Sequence, residues 1–125
     1  LIDDNIVISV LSEKVENLDN EQILIDGFPR SSIQAESLNN IFKNLDVNII
    51  NFIVSDEQLL ERIKKRSLEE SRADDSVFEK RLAIYKKSHN EIINSLNKYY
   101  KVIDIDADSE ISLISQKIVE NLGLN

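Results

Sequence analysis

The stretch that most constrains the fold is residues 22–36, QILIDGFPRSSIQAE. An apolar run at 23–25 ends at Asp26, and a turn-forming segment, 27–30, follows before a helix-like segment begins. An apolar run bounded in this way predicts a buried parallel strand that carries a carboxylate at its C-terminal end. Because ligands of open α/β sheets bind beside the carboxyl ends of the strands, we expect Asp26 and Arg30 to lie at a binding site.

Strands and helices alternate along the rest of the chain. Apolar, β-branched runs predict strands at 22–26, 49–54 and 101–105. Apolar residues at helical spacing predict helices at about 3–18, 31–44, from 56 onward, 76–99 and 109–122. This order predicts right-handed crossovers and a parallel sheet with helices on its faces. We expect a single domain over residues 1–125, since no repeat or linker divides the chain.

The overall charge and the lack of cysteine exclude several classes of function. A net charge of −8 argues against nucleic acid as the main partner, because phosphate backbones need a basic footprint. The chain has no cysteine, so it can form neither disulfides nor thiolate zinc sites. No apolar run has the length of a membrane span, so we expect no membrane partner and a cytoplasmic location.

The arginines are distributed differently from the lysines. Ten lysines lie mostly on predicted solvated faces, whereas the five arginines lie near strand ends, in loops and at helix starts. Arginine binds phosphate with a planar fork and stays charged, so several arginines together would suit a ligand with several phosphates. The alternative is five surface arginines paired with the many acids, and spacing alone favours that alternative.

Two further polar patterns have structural explanations. His89 is the only histidine and lies on the apolar stripe of its predicted helix, so we expect a core-edge residue rather than a catalyst. Asp104, Asp106 and Asp108 alternate as metal ligands can, but they lack the glycine and the terminal glutamate of a calcium loop. We interpret them as a strand end and the negative charge at a helix N-terminus.

Four motifs together resemble one protein family. LIDGFPRSSIQAE resembles the DGFPR-x-x-x-Q-A signature of adenylate kinases and of the wider nucleoside monophosphate kinases. LLERIKKR, SRADD and EKRLAIY resemble the family's R-x-x-x-R, R-x-DD and R-L-x-x-Y elements, in the same order. All five arginines fall on family positions. The resemblance implies a three-layer α/β/α fold with a parallel sheet of the P-loop NTPase type, and transfer of the γ-phosphoryl group of ATP to AMP.

The resemblance also implies a role for each matching residue. Asp26 would help to hold Mg²⁺ through water, Arg30 would bind the acceptor phosphate, and Gln34 would read the edge of the acceptor base. The residues implied for AMP binding are Leu1, Ile2, Gly27, Phe28, Pro29, Arg30, Gln34, Arg72 and Arg81. Those implied for the ATP side and for the closing lid are Arg62 and Arg66, and Asp74 and Asp75. The residues implied to act on the transferred group are Asp26, Arg30, Arg66, Arg72 and Arg81.

The lid and the glycines specify the resemblance further. The lid segment around 66–72 is short, so the chain resembles short-lid members, which are expected to act as monomers when complete. Gly27 and Gly123 are the only glycines, so these residues contain no Gly-rich phosphate loop. We therefore expect this chain to be the C-terminal portion of such a kinase, with about three strands and without the central first strand. We expect the isolated chain to be inactive. A UMP/CMP-type kinase and a non-catalytic α/β remnant stay open as alternatives.

Overall fold

A computed structural model describes residues 3–18, 22–66 and 75–123 of the chain. The elements of this part are, in order, α1 (Asp4–Glu16), α2 (Ser32–Ile41), β1 (Ile49–Ile53), α3 (Asp56–Arg66), α4 (Asp75–Asn97), β2 (Val102–Asp106) and α5 (Ile111–Leu122). Within these ranges, none of the helices combines the length and the apolar character needed to cross a membrane.

The two strands form a parallel pair. Ile49 lies opposite Val102 and Ile53 lies opposite Asp106, with three residue pairs in register between them. The chain returns from β1 to β2 through α3 and α4, and both α4 and α5 pack against β2. A parallel pair joined by helices confirms the predicted α/β class, here as an incomplete sheet.

The strand predicted at 22–26 does not form. Residues 22–26 have no ladder partner, and the side chains of Ile23 and Leu24 are 40% and 93% exposed. An extended segment becomes a strand only when a neighbour supplies partners for its backbone N–H and C=O groups, and in the described part of the sheet β1 pairs with β2 alone. The prediction of about three strands was therefore wrong by one strand in the described residues.

The core nevertheless anchors the segment that follows Asp26. Its centre is a buried cluster from α2 and α4, formed by Ala35, Leu38, Phe42 and Leu96. Ile25 and Phe28 pack against this cluster as partly buried side chains. Because they lie on either side of Asp26 and Gly27, the intervening turn is held against α2 without belonging to a sheet.

Two helix ends are stabilised by residues suited to those positions. Asp3 caps α1, and its Oδ1 accepts a hydrogen bond of 2.8 Å from the backbone N–H of Asn5. Gly123 follows α5 in the left-handed conformation, with φ of 68°, which is the usual way for a glycine to end a helix. The N-terminus of α1 lies beside the start of α2, since Asp4 accepts hydrogen bonds from Ser31 and Gln34.

Candidate functional site

The turn from Asp26 to Arg30 is the centre of the candidate site. Gly27 has φ of 82°, a conformation that disfavours any residue with a Cβ atom, and the Phe28–Pro29 peptide bond is cis. The Nε–H of Arg30 donates to the carbonyl oxygen of Gly27 at 2.8 Å. A Cβ atom at position 27 would come to 3.2 Å from Arg30 Nη2. The guanidinium of Arg30 therefore folds back over Gly27, and the absence of a side chain there makes room for it.

Arg30 is exposed, and no carboxylate of the described residues forms an ion pair with it. The turn uses its Nε–H group, and a guanidinium carries four further N–H donors on its two Nη atoms. Those donors are the chemical equipment for binding a phosphate group with two parallel hydrogen bonds.

Gln34 joins the turn to both neighbouring helices. Its side chain is 6% exposed, and its Oε1 accepts a hydrogen bond of 2.7 Å from the backbone N–H of Arg30. Its Nε2 donates to Asp4 Oδ1 at 2.9 Å. Ser31 caps α2 by accepting from the backbone N–H of Gln34 at 3.1 Å, and its hydroxyl donates to the same Asp4 oxygen at 3.2 Å. The side-chain amide of Gln34, which is part of α2, thus connects the turn to α1.

Asp4 is the residue of this site that sequence reasoning missed. The sequence places it in the first turn of α1, where an acid is expected for its favourable interaction with the helix dipole. Its hydrogen bonds go instead to Ser31 and Gln34, which lie 27 and 30 residues further along the chain. Motifs describe residues that are close in the sequence, so they do not predict a contact between residues this far apart.

Asp26, the predicted carboxylate of the metal shell, is exposed directly before Gly27. It lies at the edge of an open, largely apolar groove between α1 and residues 23–25, lined among others by Leu11, Val15 and Leu24. Among the described residues, no group of three or more His, Cys, Asp or Glu side chains is close enough together to hold a metal ion.

The other predicted arginines lie on α3 and α4. Arg62 and Arg66 are exposed and lie four residues apart, so they share one face of α3. Arg81 is exposed on α4, and α3 packs against α4. The structure thus brings the two arginine-bearing helices side by side. Five further predictions fall outside the described part of the chain: those for Leu1, Ile2, Arg72 and Asp74, and that for the side chain of Asp75.

A three-residue polar contact fixes α2 against the end of α4. Glu36 on α2 accepts hydrogen bonds of 2.7 Å from Lys98 Nζ and from the hydroxyl of Tyr99. The hydrogen bond from Lys98, followed by that from Tyr99, lowers the pKa of the Glu36 carboxyl group. The same carboxylate raises the pKa of Lys98 and the pKa of Tyr99 through its hydrogen bonds to them. This contact holds α2, and so Gln34, in place.

The three alternating acids, Asp104 and Asp106 in β2 and Asp108 just after it, make hydrogen bonds within the fold. Asp104 accepts a hydrogen bond of 3.0 Å from Asn51 Nδ2 on β1, and Asp106 accepts one of 2.9 Å from the backbone N–H of Asp108. Asp108 in turn accepts from the backbone N–H of Ser55, at 3.1 Å from its Oδ2, just before α3 begins. The first contact joins the middles of β1 and β2, and the other two lie at the carboxyl ends of the strands.

Comparisons with known proteins agree on one family. A family model described as adenylate kinase matches residues 1–104. The adenylate kinase of Prochlorococcus marinus (strain NATL2A) is 29% identical over 126 residues, which cover 98% of this chain and 68% of that protein. Those of Hyphomonas neptunium and Nitrobacter hamburgensis are 32% and 28% identical, and each match covers 94% of this chain. The chain spans about two thirds of the length of these curated relatives, with 66% and 62% of the latter two covered.

Proposed function

The chain belongs to the adenylate kinase family, and on this premise we propose that it forms the acceptor side of a site that transfers the γ-phosphoryl group of ATP to AMP. The observation that carries the proposal is the 2.7 Å hydrogen bond from the backbone N–H of Arg30 to Gln34 Oε1. This contact supports the proposal because it joins the turn that carries Arg30, whose guanidinium suits a phosphate group, to Gln34, which the resemblance implies for the acceptor base.

The two side chains supply complementary recognition. Arg30 is exposed and offers its Nη donors to a phosphate group. For Gln34, the resemblance implies that it reads the edge of the acceptor base, and an amide carries both the donor and the acceptor that such reading requires. Binding a phosphate and a base with separate groups fixes the acceptor in position, and positioning is most of what phosphoryl transfer asks of a protein.

We propose that the remaining arginines neutralise the phosphates during transfer. Arg62 and Arg66 would serve the ATP side, while Arg72 and Arg81 would bind the phosphates around the transferred group. The packing of α3 against α4 supports this proposal, since the helix that carries Arg62 and Arg66 lies next to the helix that carries Arg81. Asp74 and Asp75 would orient these arginines and the short lid.

We propose further that Mg²⁺ enters this site together with ATP, with Asp26 reaching it through water. Mg²⁺ is usually held by one or two carboxylates, by substrate phosphates and by several water molecules. The single exposed carboxylate of Asp26 fits that requirement, because the nucleotide supplies the other ligands. When bound, the ion offsets the negative charge of the phosphates, and the turn keeps Asp26 beside Gly27 and Arg30.

The remaining parts of the proposal follow from the resemblance and the composition. We propose nucleotides as the partners, a single domain over residues 1–125, a monomeric state when complete and a cytoplasmic location. The net charge of −8 supports the proposal that nucleic acid is not a partner. The lack of cysteine supports a reducing compartment.

Nucleotide binding by the chain tests the proposal directly. We expect Arg30→Ala to weaken AMP binding by about 10- to 100-fold, which is the effect of losing a charge-assisted contact, and to leave adenosine binding nearly unchanged. Calorimetric titration with AMP and adenosine measures both. Lys43→Ala is the matched control, because it removes one positive charge from an exposed position at the other end of α2. An Arg30→Ala variant that keeps its affinity for AMP would contradict the proposal.

Turnover is a separate test. We expect the isolated 125-residue chain to bind nucleotide without forming ADP from ATP and AMP, because its only glycines are Gly27 and Gly123 and a phosphate loop needs several. A coupled assay with Mg²⁺ detects ADP, and its appearance would show this expectation wrong. UMP and CMP, offered in place of AMP, test the alternative acceptors. Failure to bind any nucleotide would favour a non-catalytic α/β remnant.

A further inference from the structure

We propose that Asp4 is a positioning residue for phosphate binding: it holds the buried side chain of Gln34, which in turn holds the backbone of the turn that carries Arg30. The two links are side-chain hydrogen bonds of 2.9 Å and 2.7 Å. The inference rests on the proposed function, because it takes the guanidinium of Arg30 as the group that binds the acceptor phosphate. Asp4 acts through Gln34 and does not have to touch the nucleotide.

The side-chain amide of Gln34 is engaged by the protein at both of its polar atoms. Its Oε1 accepts from the backbone N–H of Arg30, and its Nε2 donates to Asp4 Oδ1. Gln34 is 6% exposed, so water cannot easily replace either hydrogen bond. The amide therefore connects α1 to the turn.

Removal of the Asp4 carboxylate would act on the turn through this amide. The Nε2 group of Gln34 would lose its acceptor in a buried place, and a buried donor without a partner is costly. Rotation of the side chain toward water would satisfy that donor, but it would take Oε1 away from the backbone N–H of Arg30. In both cases the contact that holds the turn becomes less stable.

Ser31 provides a second connection from Asp4 to the turn. Its hydroxyl donates to Asp4 Oδ1 at 3.2 Å, and its oxygen accepts from the backbone N–H of Gln34 at 3.1 Å, which caps α2. A hydroxyl has a single proton, so donation to Asp4 leaves its lone pairs to accept from that N–H. Because Ser31 directly follows Arg30, the cap fixes the backbone at the end of the turn.

The backbone of the turn determines where the guanidinium of Arg30 lies. Its Nε–H donates to the carbonyl oxygen of Gly27 at 2.8 Å, so the guanidinium follows any movement of the turn. Two parallel hydrogen bonds to a phosphate group require a defined orientation of the guanidinium plane. A group that must first be ordered binds its ligand less tightly than one already held in place. Asp4 thereby contributes to the affinity for phosphate from a distance.

The test compares Asp4→Ala with Asp4→Asn in the full chain. Alanine removes the acceptor for Gln34 and Ser31, whereas asparagine keeps an oxygen that can accept from both. The probes are ribose 5-phosphate, which has no base, and adenosine, which has no phosphate; NMR titration measures both dissociation constants. We expect Asp4→Ala to weaken the binding of ribose 5-phosphate about tenfold and to change that of adenosine less than about twofold. Asp4→Asn should keep most of the wild-type affinity for both.

The sign of the effect separates positioning from simple electrostatics. Removal of a negative charge favours the binding of an anion, so charge alone predicts that Asp4→Ala binds ribose 5-phosphate more tightly. Asp3→Asn is the matched control for charge, because it removes the same charge one residue earlier and asparagine caps helices as well as aspartate does. We expect Asp3→Asn to leave the affinity for ribose 5-phosphate unchanged or slightly higher.

The outcomes distinguish this inference from the proposed function. Unchanged or tighter binding of ribose 5-phosphate by Asp4→Ala, an equal weakening for adenosine, or an equal loss in Asp4→Asn would overturn the role of Asp4. The proposed function would stand in those cases if Arg30→Ala still weakened the binding of AMP. A wild-type chain that binds neither AMP nor ribose 5-phosphate would overturn both.

Hydrogen exchange in the wild-type chain, followed by NMR, covers the case that Asp4→Ala does not fold. We expect slow exchange of the backbone N–H of Arg30 and of one side-chain N–H of Gln34, because both are donors in the connection from Asp4 to the turn. Rapid exchange of either proton would overturn the inference.

Discussion

The imidazole Nε2 of His89 lies 2.8 Å from the side-chain oxygen of Asn51, which joins α4 to the middle of β1. Asn51 is 7% exposed, and its amide nitrogen donates to Asp104 at 3.0 Å. Because that nitrogen faces a carboxylate, the oxygen of Asn51 faces His89, and His89 must donate from Nε2. The histidine is thus a half-buried structural residue at the edge of the core, stacked on Tyr85 with ring centroids 5.7 Å apart.

Replacing Asn51 should destabilise the fold. We expect Asn51→Ala to lower the free energy of unfolding by about 1–3 kcal/mol, because His89 and Asp104 lose their partner in a part-buried place. Urea denaturation measures this change. Asn48→Ala, at an exposed position just before β1, serves as the control and should change stability by less than about 0.5 kcal/mol. Equal effects of the two substitutions would contradict the proposed connection.

The contact of Glu36 with Lys98 and Tyr99 should make stability depend on pH at both extremes. The folded pKa of Glu36 is lowered from 4.5, so its contribution is complete above that pH and is lost as the pH falls through the lowered pKa. The folded pKa of Tyr99 is raised from 10.0, so its contribution is complete below that pH and is lost as the pH rises through the raised pKa. Melting temperatures measured across pH should show both losses.

The substitution Glu36→Gln tests whether this contact causes the pH dependence. It removes the carboxylate, so the melting temperature should depend less on pH near both extremes. Glu13→Gln, on the exposed side of α1, should leave the profile unchanged apart from a small offset. A Glu36→Gln profile parallel to that of the wild type would rule out this source of pH dependence.

Substitution of two glycines separates the effect of backbone strain on stability from the effect of position 27 on AMP binding. Gly27→Ala and Gly123→Ala should each destabilise the chain by about 1–2 kcal/mol, because both glycines have positive φ, of 82° and 68°. A Cβ atom at 27 would also come to 3.2 Å from Arg30 Nη2, whereas one at 123 meets nothing within 4 Å. Titration with AMP should therefore show weaker binding for Gly27→Ala alone. Equal affinities in the two variants would contradict the coupling of Gly27 to Arg30.

Leucine-to-alanine substitutions test whether residues 22–26 form a buried strand. Leu24 is 93% exposed, so Leu24→Ala should change the free energy of unfolding by less than about 0.5 kcal/mol. Leu38 is 2% exposed, and Leu38→Ala should cost about 2–5 kcal/mol. Denaturation of both variants measures the difference. A large loss at Leu24 would mean that this segment is packed as a buried strand after all.

Periodic features were predictable from the sequence, and contacts between distant residues were not. β1 and β2 lie within one residue of their predicted bounds, because apolar β-branched runs such as 49–53 have few alternatives. The run at 23–25 is also apolar but stays irregular, since strand formation depends on a neighbour that local sequence does not specify. The contact of Asp4 with Gln34 depends on how α1 packs on α2, which no spacing encodes. The roles of Arg62, Arg66 and Arg81 stay predictions.

Within residues 3–18, 22–66 and 75–123, β1 pairs with β2 alone, and this has a consequence for the behaviour of the chain in solution. Each strand of a two-stranded sheet has one side without a ladder partner, and such open edges can recruit a strand from another molecule. Phe52 and Ile53 on β1 are 49% and 47% exposed, so an associating strand would also find apolar surface. Mutual repulsion at a net charge of −8 opposes this association, and salt screens that repulsion. Aggregation of the isolated chain should thus increase with ionic strength.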